Sequence, residues 1–177
     1  MLKQLSSMAA ILCLIGAGTQ AFEGNPLKNA KVGDFASFKM STKAGGMSMD
    51  METKRTIIGK TDAEVTMEIV TKVMGRETKI NHTVKLNEDF DPRQMAFRGK
   101  GDVTFKELDK GEETITVAGK ALKTTWTSFE ATSKQGTMKG KAWVCPDVPL
   151  GGLVKSEMDM GGLGTMTSEL VDYGSAK

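Results

Sequence analysis

Thioether sulfur is the chemistry this sequence concentrates. Thirteen of its 177 residues are methionine, and two tight runs stand out: Met47-x-Met49-x-Met51, and Met158-x-Met160 with Met166 close behind. Sulfur of this kind is a soft donor that selects Cu(I) or Ag(I) over harder ions, so Met47, Met49, Met51, Met158 and Met160 could form a soft-metal site. The same spacing has a plainer use. Residues two apart fall on one face of a β-strand, and methionine is a flexible apolar filler that also lines adaptable surfaces. On that reading Met47, Met49, Met51 and Met67 offer a soft wall to an apolar, lipid-like ligand, with no cofactor and no metal. Trp126 and Trp143, on consecutive predicted strands, would add aromatic surface to the same binding set.

Other constellations are hard to assemble. His82 is the only histidine, and Cys13 and Cys145 are the only cysteines. There is no HExxH, no phosphate loop, no cysteine pair for zinc and no nucleophile elbow. The expectation is a protein that is not an enzyme. His82 falls on the apolar side of its strand and is expected to be a buried, satisfied imidazole. Cys145, next to Trp143 and Val144, is expected to be a small buried hydrophobe. Asn81-His82-Thr83 is a glycosylation sequon with Asn81 on the polar face, meaningful only in a eukaryotic secretory pathway.

The first residues carry an address rather than structure. Lys3 precedes an apolar run from Met8 to Gly18, and Thr19-Gln20-Ala21 ends on the small residues a signal peptidase reads. A run of about 11 residues is too short for a permanent span, which needs roughly 20. Cleavage is placed after Ala21, giving a periplasmic or secreted chain. The bulky Leu12 before Cys13 argues against a lipoprotein signal. Residues 22–177 then form one domain, with Cys145 alone and no internal disulfide available. No later stretch is apolar enough to span a bilayer.

Charge narrows the partners further. Twenty-four Lys+Arg against 22 Asp+Glu give +2, falling to +1 when Lys3 leaves with the leader. No basic block offers the series of phosphate contacts that nucleic acid requires, and nothing in charge or spacing specifies an oligomer.

The elements that must position these residues are strands. From Phe35 onward the dominant period is two. Met47, Met49 and Met51 alternate with Ser48, Asp50 and Glu52; Val65, Met67, Ile69 and Val73 oppose Glu64, Glu68 and Lys72; Ile80, His82, Val84 and Leu86 oppose Glu77, Lys79 and Lys85. Turns are expected at 59–62 and at Gly75-Arg76. Residues 87–100, with Pro92, break the pattern and form a connection. Strands resume at 102–108, 112–118, 121–131, 136–145, 153–160 and 164–172, the first two separated by Asp109-Lys110-Gly111. With 34–42 added, about ten strands joined by short turns make an antiparallel meander with one apolar face. The fold class is mainly β: a single-domain curved antiparallel sheet or open barrel with little helix.

One stretch also resembles a known group. Gly119 to Glu157 reads as a strand, a turn, a strand bearing Lys141-Ala142-Trp143, the turn Asp147-Val148-Pro149-Leu150-Gly151-Gly152, and another strand. This order, with the opening Val32-Gly33-Asp34-Phe35, resembles the periplasmic lipoprotein-localisation-factor-like (LolA/LolB-like) superfamily. The resemblance implies a curved antiparallel sheet around an apolar cavity for acyl chains. It implies no catalytic residue. The expected function is therefore an exported, non-enzymatic protein holding an apolar ligand or partner on a concave sheet face. A Cu(I)/Ag(I) protein and a structural envelope module are the alternatives.

Overall fold

The structure, a computed structural model, describes residues 25–88, 104–133 and 136–175. The predicted leader and most of the predicted 87–100 connection lie outside these residues. Nine strands follow in order: β1 (Phe35–Ala44), β2 (Met47–Lys60), β3 (Glu64–Val73), β4 (Arg76–Lys85), β5 (Thr104–Val117), β6 (Lys120–Ser133), β7 (Gly136–Val144), β8 (Leu153–Asp159) and β9 (Thr165–Gly174). They form one sheet in the order β4-β3-β2-β1-β9-β8-β7-β6-β5. Every neighbouring pair is antiparallel. The sheet is thus two meanders, β1–β4 and β5–β9, joined by a seam between β1 and β9. It is open and curved rather than closed. The helical segments among the described residues are two short 3-10 turns, Pro26–Asn29 and Gly161–Leu163.

Local sequence explains the tight hairpins. Met74-Gly75 and Ala118-Gly119 both carry positive φ, at 50° and 77° and at 48° and 77°. That pair of angles matches the right-handed twist of the flanking strands, and glycine takes it without strain at the second position. The β3–β4 turn therefore lies one residue earlier than the expected Gly75-Arg76.

The sequence suggests about ten strands, and the described residues form nine. The residues expected to break β5, Asp109-Lys110-Gly111, form a bulge rather than a turn. Pairing with β6 jumps from Glu107 to Asp109, leaving Leu108 without a partner in the ladder. Gly111 then serves its neighbour: a Cβ there would sit 2.7 Å from the Trp126 ring, which lies across the strand. Gly140 on β7 does the same for Phe129, whose ring would be 2.5 Å from an added Cβ. Each glycine is roofed by an aromatic from the adjacent strand, which repairs the gap a missing side chain leaves in a sheet.

Residues opposite one another in register share a face. The core face carries Ala36, Phe38, Met40, Ile57 and Met67, all buried. The opposite face carries Lys39, Glu52 and Glu68 and, across the seam, Trp126 and Trp143. Along β6 the buried side changes: Leu122 and Thr124 are buried on one face, Phe129 and Ala131 on the other. A single apolar face does not describe this curl. The end of the β5–β6 hairpin instead reaches back toward β9, where the Lys120 ammonium lies 5.3 Å from the Tyr173 ring centroid.

His82 departs from expectation. It lies opposite Met67 on the core face, yet it is exposed, because β4 is an edge strand and its core-facing side chains have little above them. Cys145 is buried and unpaired in a disulfide, as expected. Side chains also fasten the start of the described chain. Asn25 donates to the carbonyls of Lys85 and Glu88 and accepts from the Leu27 amide, which places Leu27 in the core.

Candidate ligand-binding faces

Pairing of β1 with β9 brings the two methionine runs together. Met40 lies opposite Met51 on β2 and Ser168 on β9; Thr42 lies opposite Met49 on β2 and Met166 on β9. Met166 in turn faces Met158 on β8. All belong to the core face. Met51–Met40 and Met166–Met158 are direct neighbours in register, and Met40 and Met166 are diagonal ones, a separation of about 7–8 Å within the reach of long side chains.

Along this row buried and half-buried residues alternate before the β2 end opens to solvent. Met158 and Met40 are buried at 5% and 9% relative exposure, Met51 and Met166 are half-buried, and Met49 and Met47 reach 42% and 76%. The Thr53 hydroxyl points at the Met40 sulfur from 3.8 Å. Two residues of the soft-metal set stand apart. Met160 lies past the end of β8, its amide donating to the Gly164 carbonyl, and Met47 sits at the open rim. Met67 shares the core face but is fully buried between Ile57 and His82, deep in β3. Sequence reasoning did not single out Met40. It stands alone in β1, and only the non-local β1–β9 register gives it company.

The two tryptophans lie elsewhere. Trp126 and Trp143 lie on consecutive strands, as expected, and the register makes them direct cross-strand partners, but they sit on the face opposite the methionines. The six residues grouped as one ligand set therefore occupy two surfaces. Beside Trp143 is a cleft of about 320 Å³ lined by Glu113, Ile115, Val117, Trp143, Lys155 and Glu169. The Trp143 indole N–H donates to Glu113 Oε2 at 2.7 Å, a contact that skips over β6. Lys155 pairs with Glu157 at 2.8 Å and Glu169 at 3.7 Å, and its ammonium lies 5.0 Å from the Trp143 ring centroid. Lys141 covers both rings, 3.8 Å from Trp126 and 4.7 Å from Trp143. The hydrogen bond to Glu157 raises the Lys155 pKa above its usual value, against the opposing pull of burial.

This cleft is engaged with itself. Its cations lie over indole rings, and Glu113 and Glu157 hold hydrogen bonds, so the arrangement braces the curl of β5 over β7 and β8. Sequence reasoning missed Glu113, which meets Trp143 over the intervening β6, and Lys155, which is its direct partner in the β7–β8 ladder, because neither register nor curl is printed in residue spacing. A second, more open depression of about 400 Å³ is lined by Lys28, Lys60, Thr61, Asp62, Leu86 and Asn87. There Lys60 donates to the carbonyls of Lys28 and Ala30 at 2.6 and 2.8 Å, a structural tie. Among the described residues, no three of His, Cys, Asp and Glu converge as a metal group. None of their helices is long and apolar enough to cross a membrane.

No protein-family model matches the chain, and no curated protein matches it. Solved structures do. A Bacteroides fragilis protein of YmcC-like fold, assigned as exported, superposes with a TM-score of 0.52 at 12% identity, covering 82% of this chain and 97% of that one. A Parabacteroides distasonis protein assigned as a lipoprotein gives a TM-score of 0.49 at 13% identity, over 81% and 96% of the two chains. The first likeness establishes a shared architecture: the chain has the fold of the Bacteroides fragilis protein.

Proposed function

We propose that this chain is an exported, non-enzymatic binding protein that takes an apolar, lipid-like ligand on its methionine face. The observation that carries the reading is the seam itself. It gathers side chains from four strands, β2, β1, β9 and β8, into one soft apolar surface that opens to solvent at Met47 and Met49. Thioether side chains are unbranched and polarizable, so such a surface adapts to an acyl chain without a preformed cavity. An exposed methionine at the rim and a buried one at the floor give a ligand somewhere to enter and somewhere to rest.

Export rests on the predicted leader, and the Bacteroides fragilis protein of the same architecture is itself assigned to export. The strand-turn-strand pattern from Gly119 to Glu157, resembling the lipoprotein-localisation-factor-like superfamily, supports the same ligand class. The absence of a familiar catalytic constellation in the sequence supports the non-enzymatic part of the reading. Titration with the fluorescent fatty acid cis-parinaric acid is the test. Saturable binding is expected, weakened at least tenfold by Met47→Asp with Met49→Asp, which touch only exposed positions and leave the melting temperature in place. No saturable binding, or binding indifferent to that pair, would overturn it.

A further inference from the structure

We infer that the inner end of the methionine face is a binding site for a soft monovalent cation, Cu(I) or Ag(I), formed by Met40, Met51, Met158 and Met166. The inference rests on the reading that this face binds ligands, and adds a second ligand class where the face turns inward. Three observations carry it. The four residues come from four different strands and are contiguous only because β1 pairs with β9. Direct pairing joins Met51 to Met40 and Met158 to Met166, and Met40 and Met166 are diagonal neighbours within the reach of long side chains, so three sulfurs can converge on one point. Each pair joins a buried residue to a half-buried one, Met40 to Met51 and Met158 to Met166, while exposed Met49 and Met47 extend the row to solvent.

The chemistry is selective. Neutral thioether sulfur holds a soft monovalent ion in two- or three-fold coordination and competes poorly for Zn²⁺, Ca²⁺ or Mg²⁺, which prefer nitrogen, thiolate or oxygen. No carboxylate, imidazole or thiolate is needed, in keeping with the lack of such clusters among the described residues. The set differs from the one the sequence suggested: Met47 and Met160 drop out, and Met40 and Met166 enter. A thioether site also has a signature of its own. Its ligands carry no proton at neutral pH, so affinity does not change with pH, unlike a cysteine, histidine or carboxylate site that must lose protons to bind.

Ag(I), which needs no reductant, is the probe, titrated into the purified protein in chloride-free buffer with native mass spectrometry and a competing chelator. The expected result is one Ag(I) per chain with an affinity unchanged between about pH 5 and pH 7.5. Met158→Leu and Met166→Leu should each weaken it at least tenfold with the fold retained by circular dichroism, since leucine matches methionine in volume. Met74→Leu, at an exposed hairpin tip, should leave it alone, and so should Cys145→Ala. Affinity unmoved by the two inner substitutions, lost with the cysteine, or rising steeply with pH would overturn the inference. Retained cis-parinaric acid binding in that event would leave the proposed function standing. Ag(I) binding without fatty-acid binding would remove the apolar ligand and keep the cation.

Discussion

Lys155 shows how one side chain can carry a pH dependence for a whole corner of the fold. Its ammonium is held by Glu157, with Glu169 and the Trp143 ring beside it, and its pKa lies above the ordinary lysine value. A lysine with a raised folded-state pKa contributes stability that is complete below its unfolded value, about 10.5, and is lost as pH climbs through the folded value. Lys155→Met should therefore flatten the alkaline limb of a stability-against-pH curve measured by urea unfolding, and change little near neutrality. A limb as steep as wild type would show that other groups set it. The partners of this residue illustrate what spacing can reveal. That Trp126 and Trp143 face each other follows from two short strands and a turn. That Glu113 hydrogen-bonds Trp143 does not, because the contact passes over an intervening strand. His82 is the mirror case: alternation placed it on the apolar face correctly, but only its position on an edge strand decides that it is wet.

At the scale of the element, β5 and β6 explain how a long strand tolerates a turn-like sequence. Asp109-Lys110-Gly111 has the composition of a hairpin turn, and a period-two reading divides the strand there. The bulge at Leu108 absorbs one residue, and the Trp126 ring occupies the space above Gly111. Gly111→Ala should cost about 1–3 kcal/mol, because the added methyl must displace a large ring held by Lys141. In a Trp126→Ala background the same substitution should cost far less, a coupling readable as a double-mutant cycle in chemical denaturation. Additive losses would mean that Gly111 is required for the bulge itself. The other strands were legible because the register shifts among them fall near strand ends; this one was not, because a bulge and a turn draw on the same residues.

For the whole molecule, the seam between β1 and β9 matters most. Phe38 on β1 is buried opposite Thr53 on β2 and Leu170 on β9, so it belongs to both meanders. Phe38→Ala should cost about 3–5 kcal/mol. It should also lower the unfolding midpoint equally for tryptophan fluorescence, which reports β6 and β7, and for far-ultraviolet circular dichroism, which reports the full sheet. Separate midpoints would show that the meanders fold independently. Sequence periodicity made each meander visible, since their strands pair with chain neighbours. It could not show which outer strands meet, so the methionine runs read as two local features instead of one surface.

That seam also sets an order of events. Delivered N-terminus first, β1 to β4 emerge before the other strands and can pair at once, leaving one side of β1 with its amides and carbonyls unmatched. The matching strand, β9, follows every other strand in the chain, and the Ser175 hydroxyl then closes the join by donating to Asp34. Until then the nascent chain displays an open edge next to an apolar face, the combination that recruits foreign strands into aggregates. The most hazardous interval in the life of this protein is therefore the wait for its last strand, and a chaperone that guards β1 would protect it more than one that guards the finished sheet.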